Sequence, residues 1–363
     1  MPIKFEPNYI ITPKIATSLM RIETAKERVI SLPLTPIVLA SLRETARLYT
    51  THYSTMIEGN QLNTNQIEAV LKHKGHFPGR ERDEHEVKGY YAALTQVEQW
   101  AAQGIVITEK TVQILHALVM ADGKAKITPT AYREGQNVIR DGRSGRIVYM
   151  PPEAKDVPPL MQALQQWIKN SKEIPPPIVA ALAHYQFATI HPYYDGNGRT
   201  ARLLTTLLLH LRGYDLKGLY SLEEYYARNL GAYYEAISIG DSHNYYMGRA
   251  EADITKWVEY FIEGMATSFE NVLVRMSAAQ KEGASDNSEI LRKLDPKQRK
   301  ALELFQQFET ITSYQVGHLF GFKPRTSSKL CATWVKEGFL EVVDPSNRGR
   351  KYQLAKFYKD LLN

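Results

Sequence analysis

Residues 191–202 read HPYYDGNGRTAR and bring a histidine, a carboxylate, an amide, two glycines and two arginines into twelve positions. Each of these types has a use in phosphate chemistry. His191 titrates near neutrality and can take a proton from an incoming hydroxyl. Asp195 is a hard oxygen ligand of the kind that suits Mg²⁺, and Asn197 carries an amide that can donate to a phosphate oxygen. Gly196 and Gly198 can adopt positive φ and present bare backbone N–H groups, directly ahead of a helix start whose partial positive charge favours anions. Arg199 and Arg202 are three apart, so their guanidinium groups leave the same side of the first helical turn and can clamp successive phosphates. Taken singly, each has an ordinary structural explanation: a helix-ending histidine, a solvated turn, two surface arginines. No single structural need calls for all of them together.

The elements around this stretch set its geometry. IVAALAHYQFATI (178–190) and RTARLLTTLLLHLRG (199–213) both have helical period, so the stretch is the elbow of a helix-loop-helix. Gly196-x-Gly198-x-x-Ala201 has the glycine spacing of a dinucleotide fingerprint, but that motif follows a strand inside a βαβ unit and none precedes it here. No GxxxxGK[ST] phosphate loop occurs in the chain. Helices are also predicted over 36–59, stopped at Gly59, and over 63–75, with Asn65 and Glu68 spaced as a capping box. Three more cover 84–104, 108–120 and 157–170.

One segment departs from this period. In QNVIRDGRSGRIVYMPP (136–152) the β-prone runs NVIR and RIVYM flank Asp141, Gly142, Ser144 and Gly145, the pattern of a hairpin. A lone hairpin has few strands to pair with, so one edge is expected to stay open. After the helix 253–276 comes SAAQKEGASDNSE (277–289), polar and without aromatics, expected to be a linker. Three short helices and two strands around Pro-Ser-Asn-Arg-Gly then follow, the layout of a winged helix. Lys323, Arg325 and Lys329 fall at the start of its recognition helix, and Arg348, Arg350 and Lys351 in its wing, where they suit phosphate contacts on DNA.

At 363 residues the chain is long enough for two or three domains that need no covalent staples. Its single cysteine, Cys331, excludes a disulfide framework and a Cys-rich zinc site. No apolar run approaches the roughly eighteen residues that span a bilayer, and the expected location is cytoplasmic. The net charge of +6 and pI near 9.0 favour polyanionic partners, although where the charge sits matters more than its sum.

The elbow resembles the signature of the Fic family, HPFx[D/E]GNGRxxR, with Tyr193 where phenylalanine is usual. The similarity extends over about residues 35–265. The resemblance implies a Fic helical bundle with a β-hairpin flap; with the winged-helix layout that follows it, the expected fold is mainly α, a Fic bundle and then a winged helix-turn-helix domain. The expected division is an N-terminal helical region at 1–110, a catalytic core at 111–276, the linker at 277–289 and the winged helix at 290–363. It also implies an adenylyltransferase that moves AMP from ATP to a Ser, Thr or Tyr hydroxyl of a target protein, and of itself, releasing pyrophosphate.

Under that resemblance His191 deprotonates the hydroxyl and Asp195 holds Mg²⁺ between the α- and β-phosphates. Asn197 and the Gly196 and Gly198 amides orient the phosphates, Arg199 binds the β-phosphate, and Arg202 the γ-phosphate. STMIEGN (54–60) resembles the family's inhibitory motif [S/T]xxxE[G/N], which assigns Ser54 and Glu58 to an N-terminal brake in which Glu58 pairs with Arg202. The hairpin at 136–152 corresponds to the flap that receives a target segment by strand addition. Tyr225, Tyr226 and the stretch 241–249 are candidates for walls of an adenine pocket. Expected partners are ATP and the target protein, with DNA at the winged helix and a second copy of the chain as further candidates, and no membrane. Transfer of another nucleotide such as UMP, removal of AMP with Glu58 orienting water, and a DNA-binding regulator with a nucleotide-sensing domain use the same residues.

Overall fold

The computed structural model describes residues 3–32, 34, 36–123, 127–140, 144–239, 243–281, 294–305, 308–346 and 349–359. The chain divides into two compact units, one of residues 1–30 and 45–273, the other of 31–44 and 274–363.

The first unit is helical, as the apolar period requires. It contains α1 (Pro13–Ser31), α2 (Pro36–Ile57), α3 (Thr64–Leu71), α4 (Glu81–Gln103) and α5 (Glu109–Met120). The hairpin β1 (Ile139–Arg140) and β2 (Ile147–Tyr149) follows, then α6 (Val157–Asn170), α7 (Pro176–Ile190), α8 (Asn197–Leu211), α9 (Leu222–Arg228), α10 (Leu230–Ile237) and α11 (Thr255–Lys281). Both α2 and α11 run across the division between units.

α7 is the central element because it is apolar on every side. It opens on Pro176 and Pro177, which are preset for the first helical positions, and nearly all its residues are buried. α8 packs along it, and α4 and α5 pack on α8 and on each other. Phe187 and Ile190 from α7 meet Leu203, Leu204 and Leu207 from α8, Tyr90 and Leu94 from α4, and Leu115 and Val119 from α5. Gly89 lets α4 approach α5 closely, since a Cβ there would stand 2.5 Å from the carbonyl oxygen of Val119. Each fully buried leucine contributes about 1.5–3 kcal/mol, so the loop joining α7 to α8 is anchored at both ends in the best-packed part of the unit.

Several local expectations change. α3 is capped by Asn63 with Gln66 rather than by Asn65 with Glu68: Asn63 Oδ1 accepts from Gln66 N and Gln66 Oε1 accepts from Asn63 N, both at 3.0 Å. It ends at Leu71, before the predicted stop at Gly75. Ser277–Lys281, expected in a linker, continue α11, because Ala, Gln and Lys are good helix formers; residues 282–289 lie outside the described residues. The hairpin strands are shorter than the β-prone runs, and Asp141 and Gly142 of its turn lie outside the described residues. Among the described residues β1 has only β2 beside it, while just past β2 Met150 bridges to Asn244.

The second unit contains α12 (Pro296–Phe305), β3 (Ile311–Thr312), α13 (Ser313–Phe320), α14 (Pro324–Lys336), β4 (Leu340–Asp344), β5 (Lys351–Leu354) and a last turn, α15 (Lys356–Lys359). Its sheet has the order β3-β5-β4, antiparallel throughout. β3 escaped the sequence reading because two residues carry no alternation. Leu302, Ile311, Val316, Cys331, Trp334, Phe339 and Tyr352 form a core of its own. Lys323, Arg325, Lys329, Arg350 and Lys351 are exposed, and Arg348 lies outside the described residues. Among the described residues no helix is long and apolar enough to cross a membrane.

Candidate active site

α7 ends where His191 turns into the left-handed region, at φ 51°, its N–H still bonded to Phe187 O at 3.0 Å. A residue with a Cβ needs support to stay there. Arg133 supplies it, donating from Nε to His191 O and from its backbone N–H to Pro192 O, both at 2.9 Å. On the imidazole, Nδ1 lies 3.3 Å from Ala188 O. A carbonyl only accepts, so Nδ1 carries the proton and Nε2 the lone pair. Burial, opposed in part by that hydrogen bond, pulls the His191 pKa down to about 4. At neutral pH the ring is uncharged, the form that can accept a proton.

The loop is closed by Asn197. Its Oδ1 accepts from Tyr193 N at 3.0 Å and its Nδ2 donates to Tyr193 O at 2.8 Å. Both ends of the amide are thus engaged with the backbone of its own loop, as a buried amide requires, and the second N–H of Nδ2 is left for the phosphate contact expected of it. Gly196 has φ 74°, and its N–H donates to Asp195 Oδ1 at 2.6 Å, so this amide too is engaged. A Cβ on Gly196 would lie 2.8 Å from Met120 Sδ and 3.2 Å from His116 Nε2. His116 Nε2 donates to Asp195 O at 2.9 Å, and its ring stacks on Tyr193 with centroids 3.6 Å apart. Tyr193, in the place of the usual phenylalanine, is the buried floor of the loop, and its hydroxyl has no hydrogen-bond partner among the described residues.

Arg202 is almost fully buried beneath the first turns of α8. Its Nε donates to Ser54 Oγ, and its Nη2 to Ser54 O and to Glu58 Oε1, all at 2.8 Å. Ser54 and Glu58 are four apart in sequence, hence on one side of the end of α2. Burial opposes the charge on Arg202, but Glu58 overrides it and the guanidinium pKa is raised. The carboxylate also lies against the backbone of α8: a Cβ on Gly198 would come within 2.2 Å of Glu58 Oε1. Tyr234, which the sequence reading passed over, donates to Ile57 O at 3.2 Å beside it.

Arg199 is 2 % exposed, with Nη1 3.8 Å from Glu86 Oε1 and Nη2 3.5 Å from Asp195 Oδ1. Asp195 itself is 59 % exposed. Among the described residues no group of three or more His, Cys, Asp or Glu side chains could hold a metal ion. A Mg²⁺ carried by a nucleotide needs only one or two protein carboxylates, and an exposed aspartate at the lip of the loop fits that demand.

The site therefore brings together every residue of the elbow with Ser54 and Glu58, which stand more than 130 positions upstream of it. It does not gather all the tyrosines. Tyr226 is buried against Tyr233 and Tyr260, with centroids 4.8 and 6.2 Å away, and belongs to the core. Tyr225 packs on Gly264. Of the stretch 241–249, residues 241 and 242 lie outside the described residues, while Tyr246 and Met247 are exposed. Arg133, His116 and Glu86 were missed, since isolated polar residues on helices or in loops carry no local signal of burial.

Residues 106–209 match the model of the Fic/DOC family. Two curated relatives, each named protein adenylyltransferase Fic, come from Drosophila virilis and Drosophila melanogaster. Each is 34 % identical over 166 residues, 45 % of this chain, and the chain spans only about a third of their length, 33 % and 32 %. Among solved structures, a Fic family protein from Desulfovibrio desulfuricans matches with a TM-score of 0.61 at 23 % identity, covering 97 % of this chain and 99 % of that one. Residues 134–508 of Fic-1 from C. elegans match with a TM-score of 0.59 at 21 % identity, covering 73 % of each chain. The helices α5 to α8, with the hairpin between them, are a Fic/DOC family domain, and the chain has the Fic fold.

Proposed function

We propose that this chain transfers AMP from ATP to a protein hydroxyl, and that Glu58 restrains it in the state described above. The observation that carries the reading is the pairing of an uncharged His191, its Nε2 bare, with a buried Arg202 whose carboxylate partner a phosphate can replace. The relatives named as adenylyltransferases support the choice of reaction.

In this mechanism the target hydroxyl oxygen attacks the α-phosphorus while the bond to the β-phosphate oxygen breaks, and the hydroxyl proton passes to His191 Nε2. Pyrophosphate leaves with its charge compensated by Arg199 on the β-phosphate and Arg202 on the γ-phosphate, contacts that lower the barrier by positioning and electrostatics. Asp195 would hold a Mg²⁺ brought by the nucleotide, which supplies further charge neutralisation. Asn197 keeps the loop shape that aims these groups. Glu58 and the γ-phosphate compete for one guanidinium edge, and only one can have it. The target segment adds to the flap hairpin as an extra strand, where the exposed Ile147 and Val148 offer apolar contacts. The second unit is read as a winged helix that offers Lys323, Arg325, Lys329, Arg350 and Lys351 to nucleic-acid phosphates.

The test is incubation of the pure chain with Mg²⁺ and ATP, followed by intact mass. Glu58→Gly should add AMP to itself faster than the wild type, and His191→Ala should add none. If Glu58→Gly adds no AMP to itself or to the proteins of a cell extract, the proposal fails.

A further inference from the structure

Arg133 is only 3 % exposed, and no carboxylate stands opposite it among the described residues. A buried guanidinium without a counter-ion persists only where its N–H groups are saturated by acceptors. Here four of the five point at backbone carbonyls: Nε donates to His191 O at 2.9 Å, Nη1 to Gly135 O at 3.0 Å, and Nη2 to Pro152 O and, at 3.5 Å, to Ile190 O.

These acceptors fall into two sets. Gly135 and Pro152 are the two stems of the flap, one ahead of β1 and one after β2. Ile190 and His191 carry the last carbonyls of α7, which no N–H of the helix can satisfy. A rigid planar fork reaches both sets at once; an ammonium on a flexible stem does not. Neighbouring bonds run between the same two parts: Tyr149 Oη donates to Thr189 O and Gly135 N to Tyr194 Oη, both at 2.8 Å, and Asn137 Nδ2 donates to Tyr193 O at 3.2 Å.

We propose that Arg133 is a positioning residue for the transfer reaction: it holds His191 in its left-handed turn and pins both flap stems to that turn, so that a hydroxyl carried by the flap arrives over Nε2. This rests on the AMP-transfer reading. The charge on Arg133 also disfavours protonation of the imidazole, acting with burial and against Glu58, Asp195 and the Ala188 carbonyl.

The experiment compares Arg133→Lys with its parent in the Glu58→Gly background, by self-modification with labelled ATP and by ATP binding, and records the His191 ring by nitrogen-15 NMR. Arg133→Lys should lower the rate on the order of 10²-fold, the effect of misplacing a reacting group, leave the Kd for ATP unchanged, and turn the single Nδ1–H tautomer of His191 into a mixture. An unchanged rate with an unchanged tautomer overturns the proposal, as does a loss of ATP affinity equal to the loss of rate. If Glu58→Gly is itself inactive, the transfer reading falls and the NMR arm still decides whether Arg133 sets the turn. Should Arg133→Lys not fold, the wild type answers through the Arg133 Nε–H, which must exchange slowly with solvent; exchange as fast as that of an exposed arginine refutes the anchor.

Discussion

Replacing Glu58 with glycine removes the carboxylate that meets Arg202 at 2.8 Å. A hydrogen bond to a charged group contributes about 1.5–3 kcal/mol, and breaking a fully buried pair costs about 3–5 kcal/mol. Arg202 is buried but the Glu58 side chain is 32 % exposed, so solvent screens part of the interaction and the lower range applies. About 2 kcal/mol is a reasonable value, equivalent to a factor of about 30 in a binding constant. Glu58 lies one residue past the end of α2, so glycine there interrupts no helix.

The free variant should therefore lose about 2 kcal/mol of stability, because Arg202 keeps its two bonds to Ser54 but faces an empty site. Its affinity for ATP should rise about 30-fold, since the γ-phosphate no longer displaces a carboxylate. Thermal melts with and without Mg²⁺ and ATP read both effects: wild type is the more stable without nucleotide, and ATP raises the melting temperature of the variant by the larger step. Equal melting temperatures without nucleotide, together with equal ATP affinities, would refute the argument that one guanidinium edge serves both anions.

Acid should unfold the chain by way of its buried rings. Burial pushes His116 to about 4 and His184 to about 3, so the folded state keeps them neutral while the unfolded chain protonates them below about 6.5. The unfolded state then binds more protons, so this stability is present above pH 6.5 and is lost as the pH falls toward 4 and 3, on the order of 3 kcal/mol for His116 and about 5 kcal/mol for His184; urea melts at neutral pH and at pH 4.5 that gave the same stability would refute it. The second unit should retard duplex DNA in a gel at low salt. Binding should weaken as salt rises, and alanine at both Lys323 and Arg325 should reduce the logarithmic salt slope by about one for each phosphate left without its cation; no shift at low salt would remove the nucleic-acid reading.

The parts of this fold that were legible in the sequence are those set by local rules. α7 and α8 announce themselves by their apolar period, and the elbow by residue types too unlike a plain turn. Glu58 was legible only through its resemblance to an inhibitory motif, since nothing local ties it to Arg202. The part Asn197 plays in closing its own loop was not legible, because an amide reads alike whether it serves a phosphate or the backbone; only the positions of Tyr193 N and O reveal it. Arg133 was invisible for a related reason. An arginine with no carboxylate at helical spacing looks like a surface residue, and its acceptors are carbonyls brought in from positions 135, 152, 190 and 191 by the folding of the whole unit. The capping of α3 went to the residue pair two positions earlier because helix starts are fixed by where packing lets the helix begin.

Ser54 grips Arg202 through both its hydroxyl and its carbonyl, independently of Glu58. Under the proposed restraint, the guanidinium plane is already aimed when Glu58 lets go, and the restrained and released forms need differ by little more than the torsions of one glutamate. Once the ion pair to Arg202 opens, side-chain rotation is far faster than any refolding, so release of the proposed restraint needs no refolding step between rest and work.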